Sequence, residues 1–103
     1  MGLLSDSGTP CIADPGNKIV AYAHKKGISV KPLVGPSSII LSLMSSGFNG
    51  QSFIFRGYLP KKSGERFDLI KEMERDIIKS GTTQIFIETP YRNNDLLLSL
   101  IHI

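Results

Sequence analysis

The sequence has few of the residues and motifs that would assign a function directly. Its 103 residues include one cysteine, Cys11, which rules out an internal disulfide and favours a reducing compartment. No signal peptide opens the chain, and no apolar run approaches the roughly 20 residues of a membrane-spanning helix. The two histidines, His24 and His102, stand alone, so no metal site is predicted. We therefore expect a cytoplasmic protein without a metal and without membrane association.

Common catalytic motifs are also missing. The sequence contains no Walker loop, no G-x-G-x-x-G and no G-x-S-x-G around a serine. The composition of 41% hydrophobic and 20% charged residues is that of a folded protein. A net charge of +3 permits contact with an anionic partner such as RNA but does not require one. The length allows one small domain or parts of two.

The most informative stretch is Ser5–Gly16, which holds two acids, two glycines and two prolines directly after the apolar pair Leu3-Leu4. This pattern predicts a strand that ends in a polar loop. Asp14 is placed as the N-cap of the following helix and Pro15 as its first residue. Open α/β sheets form ligand sites at such loops, although an ordinary strand-to-helix turn has the same pattern.

The remaining pattern alternates helices and strands, which predicts an α/β fold with a parallel sheet. Glycine and proline clusters separate the segments. The predicted helices are 17–26, 39–44, 65–80 and 93–101, of which the helix over 39–44 is expected to be buried. The predicted strands are 28–34, 52–58 and 83–87. A domain boundary is predicted at Gly35-Pro36, which gives domains 1–34 and 35–103.

Three polar loops, Ser5–Gly16, Gly35–Ser38 and Glu88–Arg92, each follow a predicted strand and precede a predicted helix. Each can direct backbone N–H groups and a few side chains into a common cleft. The spacing of these residues leaves the reaction open.

Several motifs nevertheless resemble one family. The run S-D-S-G-T-P (Ser5–Pro10) with Asp14-Pro15-Gly16 resembles the S-D-A-G-T-P…D-P-G motif of the tetrapyrrole methylase superfamily. The segment Gly35–Ser38 is similar to the G-P-S-A segment that opens the second domain of those proteins. The resemblance implies the end of a Rossmann-like parallel-sheet domain, followed by most of a second α/β domain. It also implies S-adenosylmethionine as the cofactor.

Two further stretches narrow the resemblance to one branch. F-I-F-R-G-Y-L-P (Phe53–Pro60), with the basic residues after it, is similar to F-x-G-F-L-P…K…E-R, and Glu88–Arg92 corresponds to E-S-P-H-R. That branch methylates the ribose 2′-hydroxyl of a cytidine in small-subunit ribosomal RNA. This chain differs from the family pattern at five motif positions: Ser7, Cys11, Ala13, Thr89 and Tyr91. Tyr91 stands where the family has histidine, which removes a proton carrier near neutral pH. This difference weakens the inference that this chain has the same RNA substrate as the family.

The resemblance implies roles for individual residues. The proton of the hydroxyl would go to Asp6 or Glu88, which rank equally, and capping of a backbone N–H is an equally good role for either. Tyr58 is a candidate for stacking on a base or for core packing, and the basic residues equally suit a solvated loop. The cofactor would contact Ser5, Asp6, Gly8, Thr9, Pro10, Gly35, Pro36 and Ser37, and the RNA would contact Arg56, Tyr58, Lys61, Lys62, Arg66 and Arg92.

Family members begin with a strand and a glycine-bearing loop that this sequence does not contain. We therefore expect a fragment that binds the cofactor poorly alone, from a full-length protein that is a homodimer. Two alternatives stay open, namely methylation of a tetrapyrrole or other small molecule, and a non-catalytic binding or dimerisation module.

Overall fold

The computed structural model describes residues 1–101, so His102 lies outside the described residues. The chain divides into two compact units, Met1–Ser45 and a second unit that begins at Ser46. The fold is of the α/β class, as predicted, with four α-helices and one small parallel sheet among the described residues. The domain boundary at Gly35-Pro36 stays a prediction.

The first unit contains helix α1 (Asn17–Lys25) and most of helix α2 (Ser38–Ser46). Helix α1 ends as the sequence predicts, with Gly27 in the left-handed conformation at φ 67°. The N–H of Gly27 donates to the His24 carbonyl at 3.1 Å, and that of Ile28 donates to the Ala23 carbonyl at 2.9 Å. These two bonds form a Schellman motif, which satisfies carbonyls that the helix end would otherwise leave unpaired.

Several predictions for the first unit are wrong. The N-cap of α1 is Gly16 rather than Asp14, since the chain turns at φ 130° there and the helix begins at Asn17 instead of Pro15. Neither Leu3-Leu4 nor 28–34 forms a strand, because a strand needs a neighbour for its backbone groups and none pairs with them among the described residues. Helix α2 has no buried residue, although its sequence is apolar nearly all round.

The second unit is built on a β-α-β arrangement. Strand β1 (Phe53–Tyr58) and strand β2 (Thr83–Ile87) pair in parallel, and helix α3 (Ser63–Ser80) connects them. The register pairs Phe53 with Thr83 and Tyr58 with Ile87, and it shifts between Phe55 and Tyr58, where Gly57 has φ 68°. A 3₁₀ turn (Pro90–Arg92) and helix α4 (Asn93–Ile101) follow β2.

The core of the second unit consists of Leu59, Met73 and Leu96, all buried. Residues of α3, β2 and α4 pack around it: Leu69, Ile70, Phe86 and Leu100. The apolar stripe of α3, formed by Phe67, Ile70, Met73 and Ile77, is only partly in the core, since Phe67 and Ile77 are about half exposed. Among residues 1–101, no helix has the length and apolarity needed to cross a membrane.

Candidate functional site

The first two polar loops lie against each other within the first unit. The hydroxyl of Ser5 donates to the Ser7 carbonyl at 2.8 Å and accepts the Ser7 N–H at 3.3 Å, which closes a tight turn. A methyl group built on Gly8 would lie 3.9 Å from the carbonyl oxygen of Pro36, and one on Gly35 would lie 3.4 Å from Cγ2 of Thr9. The structure thus brings the two groups of predicted cofactor residues together. The third loop belongs to the other unit, and its convergence with them stays a prediction.

The end of the Ser5–Gly16 loop has an unusual backbone. Cys11 and Ala13 have φ 69° and 52°, a left-handed conformation that costs an L-residue about 1–2 kcal/mol. Gly16 is required, because a Cβ there would lie close to the side chains of Leu3 and Cys11. Left-handed non-glycine residues often mark functional loops. Two of the five departures from the family motif, Cys11 and Ala13, occupy these positions.

The two candidate proton acceptors differ in their surroundings. Asp6 is exposed on its loop, whereas the side chain of Glu88 is only 9% exposed. Oε1 of Glu88 accepts the Thr89 N–H at 2.8 Å and lies 3.1 Å from Nε of Arg92. The Thr89 N–H lowers the pKa of Glu88, burial partly opposes this, and the charges of Arg92 and Arg66 lower the pKa further. A carboxylate held in this way is a weak base.

The guanidinium of Arg56 is paired within the protein. Its Nε donates to Oε1 of Gln84 at 2.8 Å and its Nη2 donates to Oδ2 of Asp76 at 2.7 Å, while Glu72 lies 3.7 Å from Nη1. The Arg56 side chain is 17% exposed. These contacts join β1 to β2 and α3, so the geometry gives Arg56 a structural role. No sequence signal singled out its partners, which lie 20 and 28 residues away.

Arg66 has a similar arrangement around the basic loop Leu59–Lys62. Its Nε donates to the Pro60 carbonyl at 3.0 Å and its Nη2 to the Lys61 carbonyl at 2.8 Å. Its Nη1 donates to Oγ of Ser99 on α4 at 2.7 Å. Arg66 therefore fixes the backbone that carries the two loop lysines, and Ser99 is a contact that the sequence gave no reason to expect.

The other candidate RNA contacts are accessible. Lys61 and Lys62 are exposed, and neither has an ion-pair partner among the described residues. Tyr58 is 58% exposed, which excludes the core-packing alternative within its own unit. The side chain of Arg92 is 25% exposed. Within residues 1–101, no group of three or more His, Cys, Asp or Glu side chains is arranged to hold a metal ion.

Comparison with known proteins identifies close relatives along the whole chain. A protein named ribosomal RNA small subunit methyltransferase I from Vibrio cholerae is 40% identical over 103 residues, which are 100% of this chain and 34% of the relative. The protein of that name from Hydrogenobaculum sp. is 38% identical over 104 residues, 100% of this chain and 43% of the relative. The Halalkalibacterium halodurans protein is 37% identical over 97 residues, 94% of this chain and 32% of the relative.

The chain spans about one third of the length of the Vibrio and Halalkalibacterium relatives. A scan against models of protein families gives no match. Identity of 37–40% along essentially the whole chain confirms the resemblance seen in its motifs. Over essentially its whole length the chain is therefore homologous to part of the proteins named ribosomal RNA small subunit methyltransferase I.

Proposed function

We propose that the full-length protein carrying this chain is an S-adenosylmethionine-dependent methyltransferase that acts on the ribosomal RNA of the small subunit. The methyl acceptor is the ribose 2′-hydroxyl of a cytidine. The observation that carries this proposal is the 40% identity, along the whole chain, to a protein named for that class of reaction. The activity belongs to the full-length protein, since the matched region is 34% of that relative.

The loops of the first unit suit a cofactor held mainly by backbone groups. Residues Ser5–Pro10 and Gly35–Ser37 would hold it, because the two segments lie side by side: Gly8 faces the carbonyl of Pro36, and Gly35 faces the side chain of Thr9. The turn closed by Ser5 fixes the Asp6–Thr9 backbone in place. When bound, the sulfonium of S-adenosylmethionine supplies an activated methyl group. The residues of this chain then have to bind the cofactor, align the acceptor hydroxyl with the methyl group and accept the proton of that hydroxyl.

Asp6 is the first candidate to accept the proton of the ribose hydroxyl, and Glu88 is the second. The exposed carboxylate of Asp6 is accessible to a substrate, and it lies on the same turn as the proposed cofactor residues. Glu88 already accepts the Thr89 N–H, and its lowered pKa makes it a weaker base than an ordinary glutamate. A positioned general base contributes about 10²–10⁴-fold to a rate, so replacement of the true base should be easy to detect.

The RNA would contact the exposed basic residues of the second unit. Lys61 and Lys62 are available for phosphates, on a loop that Arg66 fixes through the Pro60 and Lys61 carbonyls. The exposed ring of Tyr58 is available to stack on a base. A homodimeric protein that works in the cytoplasm completes the proposal.

The test is methyl transfer from labelled S-adenosylmethionine to purified small ribosomal subunits by the full-length protein. We expect the label on the ribose of a cytidine, and a large loss of rate in Asp6→Ala with retained binding of the cofactor. If Asp6→Ala and Glu88→Ala both keep the wild-type rate, the proton-acceptor assignment is wrong. Methylation of a tetrapyrrole with none of RNA, or failure to bind the cofactor by calorimetry, would refute the proposed function.

A further inference from the structure

Arg92 is held by one edge of its guanidinium. Its Nε donates to Oγ1 of Thr89 at 3.0 Å and lies 3.1 Å from Oε1 of Glu88. Glu88 and Arg92 are four residues apart, and Thr89 and Arg92 are three apart. The 3₁₀ turn Pro90–Arg92 between them returns the chain on itself, with the Arg92 N–H bonded to the Thr89 carbonyl at 3.0 Å.

The two acceptors on this edge are themselves fixed. Oε1 of Glu88 accepts the backbone N–H of Thr89 at 2.8 Å and approaches its hydroxyl at 3.3 Å. Because the backbone N–H cannot rotate, it restrains the carboxylate, and the carboxylate in turn restrains the arginine. The low exposure of the Glu88 side chain, 9%, limits competition from water for these bonds.

The opposite edge of the Arg92 guanidinium has a different environment. A guanidinium carries five N–H donors, of which the Nε–H is the one bonded here. The four N–H groups of Nη1 and Nη2 have no acceptor among the described residues. The other two arginines of the predicted RNA surface use their terminal amino groups internally, Arg56 on Asp76 and Arg66 on Ser99 and Lys61.

Two neighbouring features favour an anion at this edge. Arg66 is close enough to lower the pKa of Glu88, so it also adds positive potential near Arg92. The ring of Tyr91, 81% exposed, lies with its centre 5.5 Å from Cζ of Arg92. An aromatic ring against a guanidinium restricts its motion further and leaves the terminal amino groups to a ligand.

We propose that Glu88 and Thr89 are positioning residues that hold Arg92 by its Nε edge, so that its Nη1 and Nη2 groups bind one RNA phosphate in a bidentate manner. The inference rests on the proposed function for the presence of RNA, and it gives Glu88 a role other than proton transfer. Two parallel N–H···O bonds to one phosphate are the geometry that arginine provides and lysine does not.

The test measures binding of a fluorescently labelled single-stranded RNA oligonucleotide to the full-length protein without cofactor, over a range of salt concentrations. We expect Arg92→Ala to weaken binding about tenfold and to reduce the slope of log affinity against log salt by about 0.7, the value for one phosphate on a single strand. Arg92→Lys should recover less than half of the loss on a logarithmic scale. Arg75→Ala, which removes an exposed cation from α3, is the matched control and should change binding less than twofold.

A double-mutant cycle separates positioning from general stability. Thr89→Val removes the hydroxyl acceptor, keeps the shape of the side chain and should weaken binding about threefold. Glu88→Gln should have a similar effect, whereas Thr89→Ser should restore wild-type binding. In the Arg92→Ala background, Thr89→Val and Glu88→Gln should change binding no further. Circular dichroism and the denaturation midpoint of each variant establish that it is folded.

Each outcome decides a different question. Wild-type protein that methylates small ribosomal subunits but binds no RNA oligonucleotide would refute this inference alone, and wild-type protein that does neither would refute the proposed function as well. Wild-type binding with Arg92→Ala unaffected, or with Thr89→Val equally harmful in both backgrounds, would refute the inference alone. If Glu88→Gln lowers kcat at least 100-fold and removes the acidic limb of the pH–rate profile while RNA affinity is unchanged, Glu88 is the base instead.

Discussion

Replacement of Arg56 by alanine tests whether this residue stabilises the fold or binds RNA. Its guanidinium donates to Asp76 at 2.7 Å and to Gln84 at 2.8 Å, and its side chain is 17% exposed. A hydrogen bond between charged groups contributes about 1.5–3 kcal/mol, and one to a neutral group about 0.5–1.5 kcal/mol. Asp76 is 39% exposed, so solvent screens the ion pair and favours the lower halves of these ranges. We therefore expect Arg56→Ala to lower the free energy of unfolding by about 2–3 kcal/mol.

The assay is urea denaturation of the full-length protein, with RNA binding measured on the same samples. Arg56→Lys keeps the charge but only part of the hydrogen bonding, so its effect should be intermediate. Lys71→Ala, which breaks the exposed pair between Lys71 and Glu74 at 3.6 Å, is the control and should change the free energy of unfolding by less than about 0.5 kcal/mol. An unchanged denaturation midpoint in Arg56→Ala, together with a tenfold loss of RNA affinity, would refute the reasoning.

Three other substitutions test local features of the chain. Cys11→Gly should raise the free energy of unfolding by about 0.5–1 kcal/mol, because φ at Cys11 is 69°, and a lower denaturation midpoint would contradict this. Gly81→Ala should lower it by about 1 kcal/mol, because Gly81 ends α3 at φ 67°, whereas Gly64→Ala inside the same helix should be neutral or stabilising. The lowered pKa of Glu88 means that its contribution to stability is present above the ordinary glutamate pKa and is lost as the pH falls through the folded-state pKa. Glu88→Gln should therefore flatten the acid side of the curve of unfolding free energy against pH, and a parallel curve would exclude this contribution.

The second unit could be predicted from sequence almost residue by residue. Strand β2 and helix α4 have their predicted bounds, and α3 begins two residues earlier than predicted. Local signals were strong there: a long amphipathic pattern, Gly81 after the helix and a run of β-favouring residues. The strand predicted at 28–34 did not form. Alternating apolar residues indicate a tendency to form a strand, but a strand also needs a neighbouring strand that pairs with its backbone groups. The predicted burial of helix α2 was wrong for a related reason, since an apolar helix is buried only where other elements cover it.

The sequence predicted which loops form the candidate site, but not which of its arginines are paired with other side chains. The motifs identified the Ser5–Pro10 and Gly35–Ser37 segments, and the structure brings them close together. Sequence could not show that Arg56 is paired with Asp76 and Gln84 while the terminal amino groups of Arg92 are available. Both are arginines in a basic region. They differ because Arg56 is hydrogen-bonded to residues that lie 20 and 28 positions away in the chain.

We propose that the full-length protein carrying this chain methylates small-subunit ribosomal RNA. Its most direct test is to incubate the full-length protein with labelled S-adenosylmethionine and small ribosomal subunits, and then to digest the RNA and identify the labelled nucleoside. We expect label in 2′-O-methylcytidine, and much less of it when excess S-adenosylhomocysteine competes with the labelled cofactor. Label on a base, label on another nucleoside, or no transfer by a protein that binds the cofactor would contradict it.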